Sequence, residues 1–341
     1  MRTMSPVAPQ RESPGPRRCL VTGGAGFIGS HLVDHLLEGG HEVCVVDNMS
    51  TGRRANLPTS HPGLRVIETD AALALAAWDR GDRPDEIYHL AAAVGVQLVL
   101  GDPIGSIETN VGQTAAALKF AHERGGIPIL IASSSEVYGK GTHSPFGEGD
   151  DVVYGPTTAF RWSYAASKAL DEYMALAYHA KHALPAVVAR FFNTVGPRQV
   201  GDYGMVLPRF VSAALRGQAL QVYGDGRQAR CFCDARDVVR TLPALLRLPS
   251  AHGRVFNIGS DRPIAIRELA DLVVRELGST STIEHVPYEQ AYEPGFEDLL
   301  RRVPDLTRIR EAIAFAPSHT LERTIHDLAE ALCPVAQGGR R

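Results

Sequence analysis

Neither sign of charge is in surplus in this chain. Across 341 residues, 35 lysines and arginines face 38 aspartates and glutamates. That balance gives no electrostatic basis for a nucleic-acid partner or a charged membrane surface. Long apolar runs are also missing, and none approaches the roughly 18 residues of a membrane-spanning helix. Residues 1–16 carry Pro6, Pro9, Pro14 and Pro16 but no apolar signal core, so they read as a disordered tail and not a targeting peptide. Residues 336–341, with Gly338-Gly339-Arg340-Arg341, read as a second tail.

Cysteine is sparse. Cys19, Cys44, Cys231, Cys233 and Cys333 show no metal-ligand spacing and no CxxC pair. Cys231 and Cys233 read as alternate positions of one strand. Buried, reduced thiols in a cytoplasmic protein are the expectation. The thirteen histidines are scattered as well. His31 and His35 are four apart on a helical stretch, but no third ligand accompanies them. No metal site is expected.

What the chain does have is apolar content, 44%, ample for a large core. Cys19-Leu20-Val21-Thr22 reads as a buried strand, followed at once by Gly23-Gly24-Ala25-Gly26-Phe27-Ile28-Gly29. Ser30 to Glu38 then has helical spacing, and Val43 to Val46 reads as the next strand, ending at Asp47. Strand, glycine turn, helix, strand and acid make a dinucleotide-binding pattern. Gly24, Gly26 and Gly29 fit GxGxxG; Gly23, Gly26 and Gly29 fit GxxGxxG. The glycines permit a tight turn, close approach to a pyrophosphate, and tight helix packing. Asp47 would accept hydrogen bonds from the adenosine ribose and repel a 2′-phosphate, which favours NAD over NADP. Arg53 and Arg54 weaken that preference slightly.

Further strand-like runs, at Leu64–Ile67, Glu86–Leu90, Ile127–Ile131 and Pro185–Phe192, alternate with helical patterns at Ile107–Glu123 and Tyr164–His182. This implies α/β architecture, a Rossmann-type doubly wound parallel sheet. After about residue 195 the rhythm changes. The expected division is an NAD-binding domain over 17–195 that carries the catalytic residues, and a smaller C-terminal α/β substrate lobe over 196–335, interleaved with the first.

Tyr164-Ala165-Ala166-Ser167-Lys168 places a phenol and an ammonium on one helix face. A nearby cation favours the phenolate. Lowering the pKa by about three units corresponds to about 4 kcal/mol of differential stabilisation. A tyrosine so tuned can take and return a hydroxyl proton.

Six ordered motifs carry a family resemblance. They are Thr22 to Gly29, His89-Leu90-Ala91-Ala92, Ser133-Ser134-Ser135-Glu136-Val137-Tyr138-Gly139, Tyr164 to Lys168, Arg190 to Arg198, and Tyr223 to Arg230. Over roughly residues 18–333 the chain resembles an extended short-chain dehydrogenase/reductase of the nucleotide-sugar epimerase, dehydratase and decarboxylase group. The resemblance implies that Gly23, Gly26, Phe27, Ile28 and Gly29 cradle the cofactor and that Asp47 and Asn48 meet the adenosine ribose. It puts Asp70 and Ala71 at the adenine. It sets Leu90, Ala91 and Ala92 along the cofactor path, with Lys168 on the nicotinamide ribose and Phe191 near the nicotinamide. On the substrate side, Asn193 would contact the diphosphate of a UDP-sugar, Val206, Leu207 and Tyr223 its base, and Arg230 and Arg302 its phosphates. Relatives form a four-helix dimer interface. The stripe Leu170, Tyr173, Met174, Ala177 and Tyr178 implies a homodimer here.

The implied chemistry begins with Tyr164 taking the O4 proton, helped by Ser134, as C4 is oxidised to a ketone. Dehydratases resemble Thr-Asp-Glu ahead of Val-Tyr-Gly. Here Ser134, Ser135 and Glu136 stand there, without the acid that protonates a leaving hydroxyl. Ser135-Glu136 with Arg161-Trp162 resembles the uronic-acid branch instead, and Arg198 is positioned either to meet a sugar carboxylate or to brace its loop. The leading expectation is a 4-epimerase (an isomerase) converting UDP-glucuronate to UDP-galacturonate. The alternatives are a UDP-glucuronate decarboxylase and a 4-epimerase of UDP-glucose or UDP-N-acetylglucosamine. A non-catalytic NAD-binding sensor on the same fold is more remote, because Tyr164, Lys168 and Ser134 are all present.

Overall fold

Runs that are apolar on both faces, such as Val43 to Val46 and Ile129 to Ile131, suit a parallel sheet covered by helices on each side. The computed structural model describes residues 15–94, 100–141, 143–201, 205–291 and 301–333. The expected tails lie outside these residues, apart from Gly15 and Pro16.

Among the described residues the strands are β1 (Arg18–Thr22), β2 (Glu42–Asp47), β3 (Leu64–Glu68), β4 (Glu86–His89), β5 (Ile129–Ser134), β6 (Ala186–Phe191) and β7 (Thr194–Val195), then β8 (Leu220–Tyr223), β9 (Ala229–Cys231), β10 (Cys233–Asp234), β11 (Arg254–Ile258), β12 (Pro263–Ala265), β13 (Ile283–Val286) and β14 (Arg301–Arg302). Seven of them form one parallel sheet in the order β11-β6-β5-β4-β1-β2-β3. β1 pairs with β2 on one side and β4 on the other, so the strand order reverses beside it. In an open α/β sheet, ligands bind at the carboxyl ends of the strands at that reversal. Smaller sheets, β12-β9-β14, β10-β7 and β13-β8, build the rest.

One apolar cluster fills each face of the large sheet. Leu32, Val33 and Leu36 of the first helix pack with Val21, Val45 and Phe256; Leu118 and Ala121 pack with Leu20, Ile87 and Ile131 on the other face. A third cluster joins the helices Val206–Leu215, Ile266–Leu277 and Leu321–Leu332 in the smaller lobe. Truncating one such leucine to alanine costs about 2–5 kcal/mol.

Three element boundaries depart from the sequence reading. The helix Pro103–Glu123 begins four residues earlier than the apolar spacing indicates. The Asp102 carboxylate accepts from the Gly105 N–H at 2.9 Å, and Pro103 takes the first helical position, where its missing N–H costs nothing. β5 runs on through Ser133 and Ser134, because β6 continues to pair with it at Arg190 and Phe191. Cys231 and Cys233 lie on different strands of different sheets, β9 and β10, and Cys333 is exposed, not buried. No helix among the described residues is long and apolar enough to cross a membrane.

Candidate active site

A cavity of about 650 Å³ opens at the carboxyl ends of the large sheet, from the glycine turn past Asp47 to Ser134, Tyr164, Lys168 and Arg302. Gly23, Gly26 and Gly29 line it and Gly24 does not. The GxxGxxG spacing therefore names the glycines that face the cavity. Gly23 has φ +71°, and a Cβ there would lie 2.7 Å from the Ala91 nitrogen. A Cβ on Gly29 would run into the Gly23 carbonyl oxygen. Gly26 precedes the helix Phe27–Glu38, which no side chain caps among the described residues. Its first N–H groups suit a pyrophosphate.

Asp47 ends β2. Its Oδ2 accepts from the Ala25 N–H at 2.9 Å and its Oδ1 from the Met49 N–H at 2.8 Å. These bonds fix a carboxylate that retains lone pairs for ribose hydroxyls. Asn48, Ala71, Leu90, Ala91 and Ala92 line the same half of the cavity. The residues present thus fit a dinucleotide such as NAD. Asp70 is set apart from the lining. Its Oδ1 caps the following helix at the Ala72 and Leu73 N–H groups, and its Oδ2 accepts from Gln113 at 2.7 Å. Asn110 braces the wall, bonding the Ala93 N–H and Ser167 Oγ.

The other half carries the candidate chemistry. Ser134 ends β5, and its Oγ accepts from the Glu136 N–H at 3.2 Å. The Ser134 hydroxyl lies near enough to the Tyr164 phenol to favour its ionised form. The helix Trp162–His182 carries Tyr164 and Lys168 one turn apart, and both face the cavity. Lys168 is buried, and its Nζ donates to Asp171 Oδ2 at 2.7 Å. His89 lies in the same buried layer, bonded to Thr22 Oγ1 at 2.8 Å and Thr114 Oγ1 at 3.2 Å. Burial, then the Lys168 charge, push its pKa down to about 3, so the ring is neutral.

Tyr164 departs from the expectation drawn from its spacing. Burial, then the Glu136 charge, push its pKa well above the ordinary phenol value; the Ser134 hydroxyl only partly opposes them. Asp171 adds to the rise while it holds the Lys168 ammonium. The lysine that would favour a phenolate is itself neutralised by a carboxylate three residues further along the helix. Asp171 was overlooked in the sequence, although an acid at i+3 from a lysine on one helix is a readable signal.

Glu136 sits between two arginines. Arg302 Nη1 donates to its Oε1 at 2.5 Å, and Arg161 Nη2 lies 3.7 Å from its Oε2. Burial opposes ionisation, but the Arg302 and then the Arg161 charges outweigh it and hold the carboxyl below its ordinary range. Arg302 thus lines the cavity together with Glu136, Tyr164 and Ser134. The Arg302 segment is held by buried polar bonds. Asn257 Nδ2 donates to the Phe146 and Asp305 carbonyls, and its Oδ1 accepts from Tyr138, which closes the turn containing Glu136. Arg190 and Glu172 support that turn from below through a paired contact at 2.6 and 2.8 Å, with Ser133 donating to the same carboxylate. Removing one partner of such a buried pair costs about 3–5 kcal/mol.

The remaining sequence-derived residues divide. Ser135, Phe191, Asn193 and Arg198 line the cavity. Arg198, at φ +69°, donates to Asp34 Oδ2 at 2.6 Å and so braces its loop against the first helix. Val206, Leu207, Tyr223 and Arg230 do not line the cavity. Leu207 is fully buried in the smaller lobe's core and offers no side-chain surface to a base. The Tyr223 ring lies under the Arg209 guanidinium at 4.1 Å, and Arg230 pairs in register with Arg302 across β9 and β14.

Comparison with known proteins agrees with this geometry. Residues 19–259 match the model of the NAD dependent epimerase/dehydratase family. A UDP-N-acetyl-alpha-D-glucosaminuronate decarboxylase of Bacillus cytotoxicus is 40% identical over 91% of this chain and 96% of its own length. UDP-glucuronic acid decarboxylase 1 of Arabidopsis thaliana is 35% identical over 89% of this chain and 67% of its own. The UDP-glucose 4-epimerase of Thermotoga maritima, solved with UDP-glucose, superposes with a TM-score of 0.82 at 28% identity, over 92% of this chain and 98% of that one. With the glycine cradle, Asp47 and the Tyr164–Lys168 pair in place, the chain belongs to the NAD-dependent epimerase/dehydratase family of enzymes.

Proposed function

We propose that this enzyme decarboxylates a UDP-uronate, either UDP-glucuronate or its 2-acetamido counterpart, to the UDP-pentose. This replaces the 4-epimerase expected from sequence: the two relatives above, 40% and 35% identical, are both named decarboxylases. The observation that carries the reading is the cluster of Glu136, Arg302 and Arg161 beside Tyr164 and Ser134. A neutral hexose gives no reason to bury two guanidinium groups there. A uronate carboxylate does.

Ser134 holds O4 of the sugar, and Tyr164 takes its proton. Bound NAD supplies the redox chemistry, oxidising C4 and later reducing the ketone. Arg302 and Arg161 orient the C5 carboxylate. The 4-keto group lies β to that carboxylate, so the electron pair of the breaking C5–C6 bond passes into the ketone as carbon dioxide leaves, and the enolate so formed takes a proton from solvent at C5 to restore the ketone. Glu136 shares the arginines with the substrate carboxylate. The two like charges disfavour the bound anion and favour its loss as neutral carbon dioxide. Tyr164 returns its proton to O4 as the ketone is reduced.

The test is incubation of the purified protein with each UDP-uronate, followed by proton NMR and carbon dioxide capture. A UDP-pentose with one carbon dioxide per turnover is expected. A UDP-uronate inverted at C4, with all six sugar carbons retained, would overturn the reading.

The same reading includes a homodimer. Leu170 and Tyr173 are 50% and 65% exposed, while Met174 and Tyr178 pack inward on the core. Light scattering should give twice the chain mass, and Tyr173→Glu should halve it.

A further inference from the structure

Trp162, the first residue of the helix that carries Tyr164, is a buried indole that the chemistry above does not use. It does not line the cavity, but Arg161 before it does. The Arg161 guanidinium carbon lies 4.7 Å from the centroid of the Trp162 ring, inside the range of a cation–π contact. The indole is itself held. The Tyr154 ring stacks on it at 6.2 Å, and Tyr154 Oη donates to the Ala165 carbonyl at 3.2 Å. The Gly155 backbone lies against its edge, where an added Cβ would run into Nε1. Lys140 Nζ stands farther out, 5.7 Å from the same centroid.

The two arginines beside Glu136 are therefore fixed by different means. Arg302 bonds the Glu136 carboxylate directly. Arg161 stands 3.7 Å from it, a distance that attracts the guanidinium without setting its plane. An aromatic face does set that plane, because a flat cation stacked on a ring keeps its N–H donors pointing outward along its own edge. We propose that Trp162 is a positioning residue: its indole holds the Arg161 guanidinium at the cavity wall with a donor edge free for the substrate carboxylate. A guanidinium already stacked has less rotamer freedom to lose when it grips that anion. The role deepens the uronate reading and rests on it.

The experiment measures, in the full-length protein and its variants, kcat/KM for the UDP-uronate and the inhibition constant of UDP, which lacks the sugar acid. Trp162→Leu should lower kcat/KM about tenfold, the scale of a desolvated cation–π contact, and leave UDP within about threefold. Trp162→Phe keeps an aromatic face and should return kcat/KM to within about threefold of the natural protein. With Arg161→Met already in place, adding Trp162→Leu should cost less than about twofold, since the indole acts through the arginine. Trp162→Met replaces the leucine variant if its thermal midpoint shows that it does not fold. Equal losses in Trp162→Phe and Trp162→Leu would overturn the proposal, as would no loss in Trp162→Leu. A second tenfold loss on top of Arg161→Met would do the same, and so would UDP weakening in step with the uronate. Turnover of a UDP-uronate with all six sugar carbons retained would overturn the decarboxylase reading and leave the role of Trp162 standing. No turnover of either UDP-uronate by the natural protein would overturn both.

Discussion

Tyr164→Phe should lower kcat by about 10³-fold, within the range general acid–base catalysis contributes, while leaving the thermal midpoint and NAD affinity nearly unchanged. The variant keeps the ring and loses one hydroxyl. Its neighbour Ser134 keeps its bond to the Glu136 N–H, so the turn Ser135–Tyr138 stays anchored. The loss therefore falls on proton transfer and not on the fold. Product analysis by chromatography measures it, and a variant with full turnover would remove Tyr164 from the mechanism.

A pH profile gives the same residue a second test. Burial and the Glu136 carboxylate raise the Tyr164 pKa, so the free enzyme holds a neutral phenol throughout the neutral range. The fraction ionised then grows tenfold with each pH unit below that pKa. The profile of kcat/KM reports groups of the free enzyme, so its logarithm should climb with a slope of about one between roughly pH 6 and 9. In Tyr164→Phe that slope should vanish. A plateau near pH 7 in the natural enzyme would mean that Lys168 wins over Asp171, Glu136 and burial, as its spacing alone suggests.

The contrast marks how far the sequence carries. The strand-glycine-helix-strand order is local, and each piece has its own reason to form. The cofactor half of the site was therefore legible from Cys19 to Asp47. Tyr164 and Lys168 were legible as a pair because one helix sets their spacing. Their electrostatics were not, because Glu136 arrives from another strand's end and its charge competes with burial. Arg302 is 166 residues from Glu136. Its position depends on β14 pairing with β9 and on Asn257 tying Phe146 to Asp305, contacts with no local pattern.

Arg302 offers the sharpest division between two roles. Arg302→Ala should cut kcat/KM for the UDP-uronate by about 10² to 10³-fold, the scale seen when one partner of a buried, hydrogen-bonded charge pair is truncated. Arg302 is 6% exposed and its guanidinium contacts Glu136, so its loss leaves a buried carboxylate poorly compensated. Glu136 would keep only Arg161, at 3.7 Å, and the substrate carboxylate would meet an acid less well compensated. Arg302→Lys should fall between, because an ammonium restores charge but not the fork that spans two carboxylates. Inhibition by UDP alone decides where along the substrate Arg302 acts. UDP carries the diphosphate and lacks the sugar acid. If Arg302 meets the uronate, the inhibition constant of UDP should stay within about threefold of the natural enzyme's, while uronate turnover collapses. If UDP weakens in step with the uronate, Arg302 is a diphosphate clamp, and the carboxylate must be met by Arg161 or by another cation of the cleft.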